Sequence, residues 1–351
     1  MSIPDTHKVY RRTSGPLPRT IEVSTEPVPK DLGPKDVLIK VHTVSLNFRD
    51  VGMLVGRYPI EVEERGIPCS DAAAEVVATG SAVTQVGVGD HVSVIFDLNN
   101  LVGGEDAPMF ALGGDFAGVL REYAVYEEKH LVPLPKYLNW EEAATIACAG
   151  VTAWSALNGL KSGSKPRSAL LQGTGGVSMF ALLICLAAGV KPIITSSSDK
   201  KLQDIRKDLG DEIGTINYKK VTDQAAEVSR LTDGKGVDYV INNTGPASIP
   251  QDISFLRQRG GQVSLVGFLE GFSGDWQPGA IMALMSKNAT LKGTAVGSRE
   301  DFIELNKFLT EKNVSLSRLV DKVFSFDKSP AAFDYLLSGS HVGKVIIKVH
   351  D

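Results

Sequence analysis

Cysteine is scarce in this chain of 351 residues: three are present, Cys69, Cys148 and Cys185, far apart and with no CxxC pair among them. So few thiols cannot staple a small secreted scaffold, and a reducing compartment, the cytoplasm, is the expected location. Dense blocks of lysine and arginine are lacking too. With 37 basic against 41 acidic residues and a formal net charge of −4, no positive stripe is available to follow a phosphate backbone, and nucleic acid is not an expected partner. The longest apolar stretch, Ser178 to Val190, is too short to cross a bilayer. The opening MSIPDTHKVYRRTSG has basic residues with no apolar run behind them, which argues against a secretory leader, so no membrane partner is expected. Internal repeats and low-complexity tracts are missing. His42, His91, His130 and His341 are scattered without HExxH spacing and read as structural. Trp154, Tyr123 and Phe96 read as core or pocket wall.

What remains is an ordinary globular composition, 43% hydrophobic and 22% charged, in a chain long enough for two lobes. The β-branched runs Val37–Val44, Glu75–Ala78 and His91–Ile95, punctuated by Gly, Pro and Asp, make the first third mostly strand. Behind Asn139, NWEEAATIACAGVTAWSAL has apolar residues at helical spacing and two acids in its first turn, which predicts a helix capped by that asparagine. From Ser168 onward strands and helices alternate: SALLQG, MFALLICLAAG, KPIITSS, DKKLQDIRKDLG, GVDYVINNTG, ISFLRQRG and GQVSLVGF. Such alternation builds βαβ units and a doubly wound parallel sheet. After Gly297 a helix, EDFIELNKFLTEK, and a last strand, GKVIIKV, are placed to rejoin the first lobe.

Gly173-Thr174-Gly175-Gly176-Val177-Ser178 follows an apolar strand and opens a helix, the setting of a dinucleotide turn. Gly173 and Gly175 allow the backbone to turn tightly and approach a pyrophosphate, which lies against the free N–H groups of the helix N-terminus. Ser178 stands in place of a third glycine. An acidic residue ending the next strand would accept both ribose hydroxyls and repel a 2′-phosphate. Here Ser197 and Ser198 come first and Lys201 follows, groups that bind a phosphate, so NADP(H) is the expected cofactor. Asp199 reads as a helix N-cap rather than a ribose contact.

SLNFRDVGMLVGRYP (45–59), IPCSDAAAEVVATGSAVTQVGVGDHV (67–92), AATIACAGVTAWSAL (143–157), LLQGTGGVS (170–178), TSSSDKKL (195–202) and HVGKVIIKV (341–349) occur in that order. Together they resemble the medium-chain dehydrogenase/reductase superfamily, in its quinone oxidoreductase and enoyl reductase-like branch, over essentially the whole chain. The resemblance implies an α/β protein with a GroES-like β-barrel catalytic domain, residues 1–130 and 297–351, and a Rossmann NADP-binding domain, 131–296, with the active site in the cleft. It also implies Lys201 and Tyr218 near the 2′-phosphate, Asn47 near the nicotinamide ribose and Lys344 as a further cofactor contact. Read by themselves, Tyr218 is equally a strand-end aromatic and Lys344 a solvated strand residue. Asn243, Thr244 and Gly245, and Gly267 with Phe268, end later strands, where open α/β sheets bind ligands.

Zinc alcohol dehydrogenases of this superfamily hold the catalytic metal with a Cys, a His-Glu pair and a second Cys. In this sequence the first position reads Leu46 or Asn47, the pair reads Ser70-Asp71, and Cys148 alone matches a ligand. One thiolate cannot supply three protein ligands, and Asp97 to Phe116 contains no cysteine for a structural zinc lobe, so no metal is expected. A conjugated C=C–C=O group carries arriving electrons onto its own oxygen and needs only hydrogen-bond donors there. The expected activity is therefore NADPH-driven reduction of a small enone, enoyl or quinone substrate.

By resemblance to 2-enoyl thioester reductases, Tyr58 and Asn47 carry the chemistry, with Tyr58 as proton donor: a phenol of ordinary pKa about 10 keeps its proton at neutral pH. The other reading of Tyr58 is a ring packed before Pro59. Asp50 reads as structural, paired with Arg49 or a backbone amide. Ser70, Asp71 and Cys148 are expected to line the substrate pocket, while Cys69 and Cys148 also fit simple buried packing. Three functional readings stay open: an independent reductase, an enoyl reductase working in trans for a fatty-acid or polyketide system, and a low-turnover NADPH-binding sensor or scaffold. By resemblance, TLKGTAVG (290–297) pairs with its symmetry mate in a homodimer.

Overall fold

A computed structural model describes residues 3–60, 62–160 and 167–350. Its contacts divide the chain into two compact units, one running to Val151 and resuming at Gly297, the other Thr152–Val296. The first begins with the antiparallel pair β1 (Thr6–Arg12) and β2 (Ile21–Pro27), followed by β3 (Asp36–Ser45), helix α1 (Phe48–Leu54), β4 (Asp71–Thr79), β5 (His91–Val94), β6 (Tyr123–Glu127) and β7 (Leu131–Pro133). β3 is the spine of this unit. Its Val37, Leu38, Ile39, Val41 and Val44 are buried, and it pairs antiparallel with both β4 and β6.

The helix predicted behind Asn139 forms for one turn and then changes character. α2 (Trp140–Ala143) opens on a reciprocal cap: Asn139 Oδ1 accepts from Glu142 N–H at 2.8 Å, and Asn139 N–H donates to Glu142 Oε2 at 3.2 Å. Ile146–Gly150 is a π turn, and α3 (Val151–Ala156) follows it. Within the π turn the Cys148 N–H donates to the Asp71 carboxylate at 3.2 Å, and the wider turn accommodates that pull. Trp140 lies between two imidazoles, its ring centroid 4.1 Å from His42 and 4.0 Å from His91. Histidines far apart in the chain thus meet on one aromatic ring. Where the sequence reading changes lobe at 131, the contacts keep residues through Val151 with the first unit, because β7 pairs with β5 and α2 packs on β3 and β4.

The second unit alternates throughout: β8 (Ser168–Leu171), α4 (Gly176–Ala188), β9 (Lys191–Ser196), α5 (Asp199–Leu209), β10 (Gly214–Asn217), α6 (Gln224–Leu231), β11 (Tyr239–Asn242), α7 (Ile249–Phe255), β12 (Gln262–Leu265), α8 (Met282–Ser286) and β13 (Thr290–Gly293). The strand order is β10-β9-β8-β11-β12-β13 and every pair is parallel. This is the doubly wound sheet that the alternation predicts. Leu170, Ile193, Val240 and Val263 from the sheet pack with Ile253 and Phe255 of α7. Each such side chain contributes roughly 1.5–3 kcal/mol on burial, which is why the strands read as continuous apolar runs. Connections leave β8 and β11 toward opposite halves of the sheet, so the switch point lies where Gln172–Gly173 and Asn243–Gly245 end those two strands.

The chain then returns to the first unit through α9 (Arg299–Lys312), β14 (Val320–Ser325), α10 (Ser329–Leu337) and β15 (Lys344–Lys348). β15 inserts between β14 and β3, giving the order β14-β15-β3-β4-β5-β7 with β6 also on β3. Among the described residues no helix is long and apolar enough to cross a membrane.

Candidate active site and nucleotide turn

In the first unit the register of the last strand decides the chemistry. Ile346 lies opposite Ser45, and Leu46 N–H donates to Val345 O at 2.9 Å, which delivers Lys344 to Asn47, two residues past the end of β3. The Lys344 ammonium donates to Asn47 Oδ1 and lies 3.6 Å from Asp71 Oδ2. Ser70 Oγ donates to Asp71 Oδ1 at 2.7 Å, Asn47 Nδ2 donates to Ser70 Oγ at 3.4 Å, and the Cys148 amide takes the other Asp71 oxygen. Asn47, Ser70, Asp71, Cys148 and Lys344 therefore form one cluster. Lys344 is 3% exposed, so its reading as a solvated strand residue is corrected: the β15 register turns it inward. An ammonium and a carboxylate out of water need their remaining hydrogen-bonding capacity filled, and Asn47, Ser70 and the Cys148 amide do this.

α1 presents a second layer beside this cluster. Asn47 N–H donates to Asp50 Oδ2 at 2.7 Å, the backbone-amide pairing expected of Asp50, and burial pushes that carboxyl up. Arg49 donates to Leu112 O at 2.6 Å, with its guanidinium 4.7 Å from the Phe96 ring centre and 5.7 Å from that of Tyr58. Arg12 donates to Gly113 O, and burial pulls its guanidinium down to about 10. Two cations thus hold consecutive carbonyls of the segment 98–116, for which the sequence offers no motif. Tyr58 is half-buried and rests on Gly52, where an added Cβ would touch its Cβ at 3.5 Å. Burial pushes the Cys69 thiol well up and the Cys148 thiol up to about 12, the latter helped by the Asp71 charge. Neither is a thiolate at neutral pH, which disfavours reactivity for both; Cys69 is buried packing, while Cys148 is partly exposed.

A catalytic zinc needs three protein ligands. Among the described residues no group of three or more His, Cys, Asp or Glu is placed to hold a metal ion. At the positions where the resemblance would put ligands, Asn47 and Asp71 hold a lysine ammonium, Ser70 bonds both of those residues, and Cys148 keeps its proton. Zinc does not fit this donor set, because a cation already occupies the centre of it.

In the second unit, Gly173 is left-handed at φ 78°, and Gly175, at φ −79° and ψ −179°, is the N-cap of α4. A Cβ on either would meet no protein atom within 4 Å, so the space over the turn is open at a helix N-terminus, where a pyrophosphate fits. Thr174 is buried between the two glycines, and Gly176 and Val177 start α4. Ser178 explains its departure from glycine: its hydroxyl donates to Gln172 O at 2.7 Å and accepts from Asn243 Nδ2 at 3.0 Å. The sequence reading missed Gln172, whose Oε1 accepts from Thr244 Oγ1 (2.8 Å), Asn243 N–H (3.2 Å) and Thr244 N–H (3.3 Å). Its Nε2 donates to Asp252 Oδ1 at 2.7 Å, while Asn242 Nδ2 (2.5 Å) and Ser248 Oγ (3.0 Å) donate to Asp252 Oδ2. Burial pushes the Asp252 carboxyl up to about 7. The available signals were a glutamine directly before the glycine turn and a lone acid inside an apolar helix.

Gly267 is a close approach, since a Cβ there would lie 2.8 Å from Asn243 O; with Phe268 it packs its loop against the end of β11. At the ends of β9 and β10, Ser198 rather than Asp199 caps α5, its Oγ accepting from Lys201 N–H at 3.3 Å. The expected cap is thus shifted by one residue, and Asp199 is the first helical residue. Ser197 and Tyr218 are exposed next to it, with Tyr218 N–H donating to Ser196 O at 3.2 Å.

Residues 33–136 match the family profile of the alcohol dehydrogenase GroES-like domain, and residues 176–311 match that of zinc-binding dehydrogenases. The chain is 39% identical over 328 residues to a zinc-type alcohol dehydrogenase-like protein of Schizosaccharomyces pombe, covering 92% of this chain and 93% of that one. It is 30% identical over 351 residues to the zinc-type alcohol dehydrogenase-like protein YogA of Leptosphaeria maculans, covering 95% of each. A crystal structure of an alcohol dehydrogenase candidate from Sinorhizobium meliloti 1021 superposes with a TM-score of 0.88 at 30% identity, over 99% of this chain and all of the other.

Proposed function

We propose that this chain, which belongs to the zinc-type alcohol dehydrogenase-like branch of the medium-chain dehydrogenase/reductase superfamily, is an NADPH-dependent reductase of activated C=C bonds or quinones that works without a catalytic metal. The observation that carries this reading is the buried Lys344 ammonium held by Asn47 and Asp71, among the residues that stand where metal ligands would be expected. Oxidation of a simple alcohol is harder without a Lewis acid to lower the alcohol pKa. Reduction of an enone or quinone needs instead a positive or hydrogen-bonding environment for the oxygen on which charge develops.

NADPH, when bound, supplies the hydride. The α4 N-terminus and the Gly173–Val177 turn bind the pyrophosphate, and Ser197, Ser198, Lys201 and Tyr218 take the 2′-phosphate. Asn243 and Thr244, kept in place by Gln172, border the rest of the cofactor together with Gly267 and Phe268. In the first unit Asn47 orients the Lys344 ammonium, which supplies positive potential, and the Tyr58 phenol donates a proton to the developing enolate. We place the enzyme in the cytoplasm as a homodimer joined along β13, the open edge of the parallel sheet.

The test is a spectrophotometric panel. NADPH should be consumed with enones, enoyl thioesters or quinones, and Lys344→Met should lower that turnover by about 10²–10³, the usual loss on removing one donor to a developing oxyanion. Oxidation of simple alcohols with added zinc, and no turnover with the panel, would overturn the reading.

A further inference from the structure

The sequence reading made Asp199 a helix cap; the structure gives it another task. Asp199 is the first carboxylate after β9, and a carboxylate reaching the adenosine ribose there would repel a 2′-phosphate. Its side chain instead shares one face of α5 with Leu202, Gln203 and Arg206, and with Thr215 and Asn217 of β10 these line a cavity of about 280 Å³. β10 is the outer strand, on the side of β9 opposite to β8 and the Gly173 turn. The carboxylate is therefore drawn away from the turn.

Both of its oxygens are taken. Asn217 Nδ2 donates to Oδ1 at 2.5 Å and the Lys220 ammonium donates to Oδ2. Asn217 is itself fixed: it is 8% exposed, its Nδ2 also reaches Ser197 O at 3.4 Å, and its Oδ1 accepts from Lys219 N–H at 3.1 Å. The turn after β10 closes on the same residue, Lys220 N–H donating to Asn217 O at 3.0 Å, which folds Lys220 back over Asp199. One buried amide thus sets both the partner and the path of the chain that carries the cation.

We propose that Asn217 and Lys220 set the preference for the phosphorylated nucleotide by holding the Asp199 carboxylate against β10, away from the ribose. Hydrogen bonds from Lys220 and Asn217 lower the Asp199 carboxyl while it is held, and a released aspartate, with its ordinary pKa of about 3.9, is still ionised at neutral pH and would compete with a phosphate. Lys220 is a positioning residue that acts through Asp199. The inference rests on the proposal that NADPH is the cofactor.

The experiment measures dissociation constants of NADPH and NADH by calorimetry for the wild type, Lys220→Met, Lys220→Arg, Asp199→Asn and the Asp199→Asn/Lys220→Met double variant. Lys220 is mostly exposed, so its replacement leaves the fold intact. The expected result is an NADPH preference in the wild type, a roughly tenfold fall in that preference in Lys220→Met, equivalent to about 1.4 kcal/mol, retention in Lys220→Arg, and recovery in the double variant. No change in Lys220→Met overturns the inference. A fall that Asp199→Asn does not rescue also overturns it, because Lys220 would then touch the phosphate directly. A wild type that prefers NADH removes the cofactor premise itself, and with it this role for Asp199.

Discussion

Gly175→Ala separates folding from cofactor binding more cleanly than any other change in the nucleotide turn. At φ −79° and ψ −179° the residue is extended backbone that alanine adopts freely, and a Cβ there meets no protein atom within 4 Å. Two effects on stability oppose one another. Alanine restricts the unfolded chain and stabilises by about 0.4–1 kcal/mol, whereas alanine is a poorer N-cap than glycine by an amount on the order of 0.5–1 kcal/mol. The net change should lie within about 0.5 kcal/mol of zero. The new methyl group projects into the open space at the head of α4, so pyrophosphate approach is blocked and NADPH affinity should fall tenfold or more, a loss of about 1.4 kcal/mol or greater. Gly173→Ala is the contrast: at φ 78° an alanine is strained by roughly 1–2 kcal/mol, so stability and binding should fall together. Urea unfolding monitored by circular dichroism and calorimetric titration with NADPH measure both quantities. Unchanged NADPH affinity in a stably folded Gly175→Ala protein would refute the placement of the pyrophosphate.

Other expectations follow from single residues. Tyr58→Phe should lower turnover of an enoyl substrate by about 10²–10⁴ with NADPH affinity intact; equal turnover in stopped-flow assays would leave that ring a packing role. The raised Asp252 carboxyl, about 7 against an ordinary 3.8, disfavours the ionised form in the folded state, so its contribution to stability is present below about pH 4 and lost as pH rises through 7. Two of those pH units lie between pH 5 and its folded value, so the wild type should lose on the order of 3 kcal/mol between pH 5 and pH 8 relative to Asp252→Asn; parallel denaturation curves for the two proteins would contradict this. Light scattering should give twice the chain mass, and a charge placed on the open edge, Leu291→Lys in β13, should yield monomers; a monomeric wild type would remove the dimer.

The features visible in the sequence are those set by neighbours in the chain. The glycine turn between β8 and α4, the Asn139 cap and the alternating apolar strands each follow from a few consecutive residues, and each appears where it was expected. What stayed hidden depends on distant register. Lys344 faces inward because Ile346 pairs with Ser45, a contact between opposite ends of the chain that no local pattern encodes. Within the π turn the Cys148 amide bonds Asp71, again a partner far away in sequence. Gln172 and Asp252 looked like ordinary polar residues until the ends of β8 and β11 came side by side. The shift of the α5 cap from Asp199 to Ser198 is a local error with a long-range cause, since Asn217 and Lys220 claim both oxygens of the aspartate.

The central claim is hydride delivery from NADPH with lysine, not a metal, supplying positive charge at the reacting oxygen. Its most direct test is the NADPH-dependent reduction of an active enone or quinone by protein dialysed exhaustively against chelator, with metal content read by mass spectrometry. The account predicts a rate equal to that of untreated protein at well under 0.1 metal ions per chain, on the order of a trace. Activity that disappears on dialysis and returns in proportion to added zinc would contradict it.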